Sequence, residues 1–263
     1  MRSRGHKRTA APLGQHLLTN SAVARRVAEE AGAGKGVSVY EVGPGKGMLT
    51  KELLSLGAKV VAVEKDPAMI EHLKNEFSSQ LKARNLKLIL GDARDVPPDS
   101  VYPKGAYVIA ANIPYYITGE LIRTFLTSKN QPRSLALLVQ KEVAERIARS
   151  KKESILSLSV KAYGEPRYVT TVKRGNFSPP PKVDSAIVAI RHISRENFTT
   201  VSEEAFFSIV KAGFGQKRKT LAGNLKRVFK KDCSKHMTAL GLSLTTRAED
   251  VALKTWLELA QEC

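Results

Sequence analysis

Five apolar runs of strand length recur along the first part of the chain: Val37 to Val42, Val60 to Val63, Leu86 to Leu90, Tyr107 to Ala111 and Leu135 to Val139. Segments with helical spacing lie between them, from Met48 to Leu56, Pro67 to Leu81 and Gly119 to Ser128. A fourth, Lys141 to Arg149, follows the fifth run. Strands that are apolar along their whole length need cover on both faces, and interleaved helices supply it. The pattern therefore predicts an α/β fold with a parallel sheet. A leading helix is expected over Ser21 to Ala31, and Asp66 is placed to cap the helix that Pro67 opens. After Arg149 the rhythm changes to one more helix, Ile155 to Ala162, and two strands, Tyr168 to Val172 and Ala186 to Ile190. Pro179, Pro180 and Pro181 between those strands predict a rigid loop. From Ser202 onward only helical patterns remain, over Glu204 to Ala212, Lys219 to Phe229 and Ala248 to Gln261. Two domains are expected, residues 1–195 with the sheet and residues 196–263 as a small helical unit.

The charge is unusual for such a chain. The 263 residues carry a formal net charge of +18, and the cations are segregated. No acid precedes Glu29, while Arg2, Arg4, Lys7, Arg8, Arg25 and Arg26 all do. From Lys211 to Lys231 there is again no acid, but Lys211, Lys217, Arg218, Lys219, Lys226, Arg227, Lys230 and Lys231. Two basic clusters point to a polyanion, nucleic acid before a membrane surface, because neither has a strong amphipathic apolar face. Cys233 and Cys263 are too few and too far apart for a metal set or a disulfide framework. No metal is expected. Neither a signal peptide nor a membrane-spanning run is legible, so a cytoplasmic protein is expected.

Ligands of doubly wound sheets bind beyond the carboxyl ends of the strands. Here those ends deliver the turn Glu41-Val42-Gly43-Pro44-Gly45-Lys46-Gly47, then Glu64, then Gly91-Asp92-Ala93, then Asn112. The glycine spacing departs from the dinucleotide fingerprint, with Met48 where its third glycine would stand, and no Gly-Lys-Ser or Gly-Lys-Thr makes a phosphate loop. A nucleoside without a diphosphate suits the site better. Glu64 can accept from ribose hydroxyls and Asp92 from an adenine amino group, demands that S-adenosylmethionine meets. The fourth strand runs into Asn112-Ile113-Pro114-Tyr115-Tyr116. The Asn112 oxygen and the carbonyls near Ile113 and Pro114 can grip an exocyclic amino group while Tyr115 stacks on the ring face. That arrangement suits alkylation of adenine N6.

With these residues assembled, the chain resembles the small-subunit ribosomal RNA adenine N6,N6-dimethyltransferases, the kasugamycin-resistance family of Rossmann-like methyltransferases. The resemblance runs from Leu13 to about Arg227. Its motifs are Leu13-Gly14-Gln15-His16-Leu17-Leu18, the Glu41 to Gly47 turn, Asn112 to Tyr115, Asn176 to Ser185 with its three prolines, and Phe214-Gly215-Gln216-Lys217-Arg218-Lys219-Thr220-Leu221. The last two separate this family from the large-subunit methyltransferases that confer macrolide resistance.

The resemblance implies a Rossmann-like S-adenosylmethionine-dependent methyltransferase domain over 1–195 and a C-terminal helical RNA-binding domain over 196–263. It implies that the segment from Gln15 to Leu18 closes over the cofactor, with His16 and Leu18 joining Gly43, Glu64, Asp92 and Asn112 as contacts. His16 stands where the family usually has Asn, and Leu17 where it has Phe. Asn112, Pro114, Tyr115 and Phe177 are the implied catalytic set, Phe177 stacking on the target adenine opposite Tyr115. The implied partner is small-subunit ribosomal RNA within a preassembled particle, met by a monomer. The target adenosine must leave its helix to reach the methyl donor, and positioning supplies most of the rate. A cytosine C5 mechanism would need a cysteine near these motifs, and neither cysteine is near. A non-catalytic assembly factor, a DNA adenine methyltransferase and a nicotinamide-dependent oxidoreductase are the rival readings. The intact motif, the lack of a separate target-recognition domain and the glycine spacing argue against them in turn.

Overall fold

The computed structural model describes residues 16–226 and 233–262. The basic arm from Arg2 to Arg8, Leu13 to Gln15 of the Leu13 to Leu18 motif, Arg227, Lys230, Lys231 and Cys263 lie outside them. In chain order the elements are β1 (Leu17–Leu18), α1 (Ser21–Ala31), β2 (Ser38–Val42), α2 (Met48–Ser55), β3 (Lys59–Glu64), α3 (Pro67–Glu76), α4 (Ser78–Lys82), β4 (Leu86–Leu90), α5 (Pro98–Val101) and β5 (Tyr107–Asn112). There follow α6 (Thr118–Thr127), β6 (Leu135–Gln140), α7 (Lys141–Ala148), α8 (Ile155–Lys161), β7 (Glu165–Val172), β8 (Phe177–Ser178), β9 (Ser185–Arg191), α9 (Glu203–Gly213), α10 (Leu221–Leu225), α11 (Ser234–Ala239) and α12 (Leu253–Glu262).

The main sheet has the order β4-β3-β2-β5-β6-β9-β7. The first five of these strands pair in parallel. β9 runs antiparallel to both β6 and β7. The fold is α/β and Rossmann-like, with strand order reversing between β2 and β5, so the ligand crevice of such a sheet opens at their carboxyl ends. Residues along β5 alternate between two apolar layers. Tyr107, Ile109 and Ala111 face one, Val108 and Ala110 the other, which is why the run has no polar alternation. β7, at the edge, does alternate and carries Pro166, tolerated where no further strand needs its donor. Local caps agree with the plan. The Asn20 side chain accepts from Ala22 and Val23 N–H to open α1, and Asp66 accepts from Ala68 N–H with Pro67 in the first turn of α3.

Four local differences from the sequence reading have physical causes. The helix expected over 67–81 is broken at Phe77, whose backbone leaves the helical region and whose ring is buried against the Gly47 turn. Leu17 and Leu18 form a two-residue antiparallel ladder with Ser178 and Phe177, a pairing between segments too short to show periodicity. In the tail, Thr220 caps α10, so the helix starts later than Lys219 and leaves Lys217 to Lys219 on a turn. The pattern over 248–261 is a 3-10 turn, Ala248–Asp250, followed by α12.

One apolar layer continues without a gap from the sheet into the tail. It joins Ile109 and Leu137 of the sheet through Leu158 and Tyr163 to Phe206, Phe207, Trp256 and Leu259. The boundary expected at 195 is thus a change of secondary structure within a shared core.

Candidate active site

β2 runs into a cleft lined by the carboxyl ends of β2, β3 and β5 and by Gly91 and Asp92 after β4. The turn after β2 takes left-handed conformations at Gly43, Gly45 and Gly47, with φ of 63°, 55° and 83°. Gly45 also allows a close approach. A Cβ there would lie 2.7 Å from Leu17 Cδ2, so the leucine side chain would have to turn away. The turn is tied to the end of β3. Gly45 N–H donates to Glu64 Oε2 at 3.1 Å, and Asp66 N–H to Oε1 at 3.0 Å. Glu64 is almost fully buried yet lines the cleft. Each of its oxygens keeps a second lone pair, which suits two ribose hydroxyls.

At the end of β5, the Asn112 Nδ2 group donates to the His16 carbonyl at 3.0 Å. This bond orients the amide and leaves Oδ1 as the acceptor available in the cleft. His16 is held in turn by a 2.8 Å contact of Nδ1 with the Pro179 carbonyl. The Tyr115 hydroxyl shares a 2.7 Å hydrogen bond with Ser185 Oγ, which anchors the ring from β9. Burial raises the phenol's pKa and the Ser185 bond opposes that rise. The Pro114 carbonyl already accepts from Ile117 N–H at 3.2 Å and Thr118 Oγ1 at 3.4 Å. Of the backbone acceptors expected there, the Pro114 carbonyl is thus occupied.

Two further charges shape the cleft. Arg94 grips Asp92 through Nε at 3.0 Å and Nη2 at 2.7 Å, and Arg94 N–H donates to the same carboxylate at 3.0 Å. The guanidinium bonds bring the Asp92 pKa down to about 2. Asp92 is therefore a positioned, fully ionised acceptor with only its remaining lone pairs to offer a ligand. Under the glycine turn, Glu41 is wholly buried. Thr50 Oγ1 donates to its Oε2 at 2.8 Å, and Oε1 has no partner among the described residues. Burial drives its pKa up to about 8, the Thr50 bond opposes this, and the Glu64 charge adds to it.

The cleft brings together His16, Gly43, Glu64, Asp92, Asn112, Pro114 and Tyr115 from the sequence-predicted set. It does not include Leu18 or Phe177. Leu18 lines a smaller cavity behind Gly43 and Asn112, together with Glu41. Phe177 is 4% exposed and belongs to the apolar cluster of Leu18, Val172 and Ile187. The expected stacking of its ring opposite Tyr115 is not the arrangement in this structure, because β1–β8 pairing folds the ring into the core. Leu17, Lys65 and Tyr116 line the cleft without having been singled out as site residues. Ser185 and Arg94 act one contact further away. Tyr116 had a visible signal, its place directly after Tyr115, whereas a lysine after a strand-end acid carries none.

Away from the cleft, Lys211, Lys217, Arg218, Lys219 and Lys226 are all exposed. None of them forms an ion pair with a described carboxylate. The turn carrying Lys217 to Lys219 is built by Asn224, whose Nδ2 donates to Gly213 O at 2.6 Å and Gln216 O at 3.1 Å.

The family model for ribosomal RNA adenine dimethylase matches residues 6–263. The chain is 38% identical to ribosomal RNA small subunit methyltransferase A of Dehalococcoides mccartyi over 255 residues, covering 95% of this chain and 87% of that protein. It is 35% identical to the protein of the same name from Fusobacterium nucleatum, covering 94% of each. Among solved structures, a dimethyladenosine transferase from Plasmodium falciparum is 29% identical with a TM-score of 0.77, over 93% of this chain and 96% of that one. The 23S rRNA methyltransferase ErmE, at 24% identity and a TM-score of 0.74 over 93% and 98%, shares the fold.

Proposed function

The chain belongs to the ribosomal RNA adenine dimethylase family, and from that premise we propose that it dimethylates adenine N6 in small-subunit ribosomal RNA. It is an S-adenosylmethionine-dependent methyltransferase acting on adenine in ribosomal RNA. The residues of the cleft fit that cofactor. Glu64 offers acceptors for the ribose, Asp92 an ionised acceptor beside it, and the glycine turn the close backbone approach. When bound, S-adenosylmethionine supplies the electrophilic methyl group. The observation that carries the N6 assignment is the Asn112 amide, turned by the His16 carbonyl so that Oδ1 is left to accept from an amino group. Tyr115, fixed by Ser185, holds a ring face beside it. Accepting from the amine localises its lone pair, and holding the reactants in place supplies much of the rate. No covalent nucleophile is needed.

The tail, residues 196–263, is the RNA-binding part in this reading, supported by Lys211, Lys217, Arg218, Lys219 and Lys226, exposed and without an ion pair among the described residues. A monomer is the proposed state. No described helix is long and apolar enough to cross a membrane, in keeping with a cytoplasmic enzyme. A preassembled small subunit is the proposed substrate. Tritiated methyl transfer onto unmethylated small subunits, large subunits and deproteinised RNA tests this. Label in dimethyladenosine of the small-subunit RNA, strongest with assembled particles, is expected. Label confined to the large subunit would overturn the substrate assignment, and equal label in bare RNA the preference for a particle.

A further inference from the structure

Tyr115 and Tyr116 are consecutive on one 3-10 turn, Tyr115–Ile117, so their side chains leave it about a third of a turn apart. Tyr115 goes to the β9 side, where Ser185 holds it. Tyr116 goes to the β3 side, where Lys65 Nζ donates to its hydroxyl at 3.1 Å. The same ammonium stands 5.9 Å from the ring centroid. Lys65 directly follows Glu64, and the charges of Asp92 and Arg94 both act on it. The Lys65–Tyr116 contact therefore spans the cleft from the end of β3 to the turn after β5, at its Glu64–Asp92 end. Tyr116 is 61% exposed although it helps to line the cleft, so much of its surface meets solvent there.

We propose that Lys65 and Tyr116 form a clasp over the nucleoside end of the cofactor cleft, with the Tyr116 ring stacking on the cofactor's adenine. The inference rests on the reading of the cleft as an S-adenosylmethionine site. Its two ends are then served by adjacent tyrosines. Tyr115 attends the target amine beside Asn112, and Tyr116 the adenine whose ribose and amino group face Glu64 and Asp92. A flat purine under the ring removes the apolar face from water, and the lysine stem packs across the opening while its ammonium stays hydrated. Tyr116 is a positioning residue in this scheme, with no part in moving the methyl group.

Titration calorimetry on wild type, Tyr116→Ala and Tyr116→Phe tests the clasp, with S-adenosylhomocysteine and 5′-methylthioadenosine as probes. The second probe has the nucleoside end without the amino acid. Tyr116→Ala should weaken both by roughly 5- to 150-fold, the range for losing one base–aromatic stack. Tyr116→Phe keeps the ring and loses the lysine bond, and should stay within about fivefold of wild type. Affinity for small subunits should be unchanged in both variants. Unaltered methylthioadenosine binding by Tyr116→Ala would overturn the clasp. So would a loss confined to small-subunit affinity, which would make the ring a platform for RNA instead. Absence of any binding by the wild type would overturn the cofactor reading itself, and the clasp with it.

Discussion

At the scale of single residues, the chemistry depends on how Asn112 and Glu41 are held. Asn112 is polar at the end of an otherwise buried strand, and the His16 carbonyl decides which side of its amide faces the cleft. Asn112→Ala should reduce methyl transfer by ~100- to 1000-fold, the cost of removing one oriented electrostatic contact to the reacting group. Single-turnover kinetics with a matched thermal midpoint checks this, and a wild-type rate would rule the contact out. Glu41 has a different consequence. Its pKa in the folded chain is about 8, against ~4.3 when unfolded. The folded state thus holds an extra proton between those values. The stability from this group is full below about pH 4.3 and is lost as pH climbs through about 8. Glu41→Gln keeps an acceptor for Thr50 and removes the titration. The variant should gain stability relative to wild type as pH rises from about 5 to about 8. Thermal midpoints measured across that range without cofactor check it; a constant offset would show that Glu41 does not titrate there.

At the scale of elements, the short pairing of β1 with β8 organises more than its length suggests. It places His16 on Asn112, seats Leu17 over Gly45 and draws Phe177 into the core. In the tail, Lys217, Arg218 and Lys219 share a turn that Asn224 braces. A turn presents adjacent side chains together, so Lys217, Arg218 and Lys219 can still meet neighbouring phosphates. Replacing all three with alanine should weaken binding to small subunits and leave cofactor affinity unchanged. Each lost phosphate contact should flatten the slope of log affinity against log salt by ~0.9 on duplex RNA, taking the value for duplex DNA. Binding measured across a salt series decides this. An unaltered slope would move the anchor to other basic segments.

At the scale of the whole molecule, the sheet and the tail share one apolar layer. Cooperative unfolding is expected, because the layer on one face of the sheet is also the core of the tail. The chain has one tryptophan, Trp256, wholly buried in that layer, so its fluorescence reports on the tail while far-UV circular dichroism reports on all the elements. Leu259→Ala in the same layer should cost ~2–5 kcal/mol. Both signals should shift together in denaturant titrations. If fluorescence moved to lower denaturant while most of the circular dichroism change stayed in place, the tail would be an independent unit.

The strand–helix alternation, the strand ends carrying Glu64, Asp92 and Asn112, and the glycine turn were all legible from the sequence. Each is encoded locally: an apolar run, a cap or a glycine reports its own conformation within a few residues. What only the tertiary structure decided is how those groups are aimed and occupied. The His16 carbonyl turns the Asn112 amide from 96 residues away, and Ser185 anchors Tyr115 from a strand 70 residues away. Phe177 looked like a second stacking ring because its neighbours form a motif, yet a two-residue ladder buries it. Lys65 and Tyr116 meet across 51 positions. Side-chain direction depends on partners brought together by folding, and no periodicity in the sequence records who those partners are.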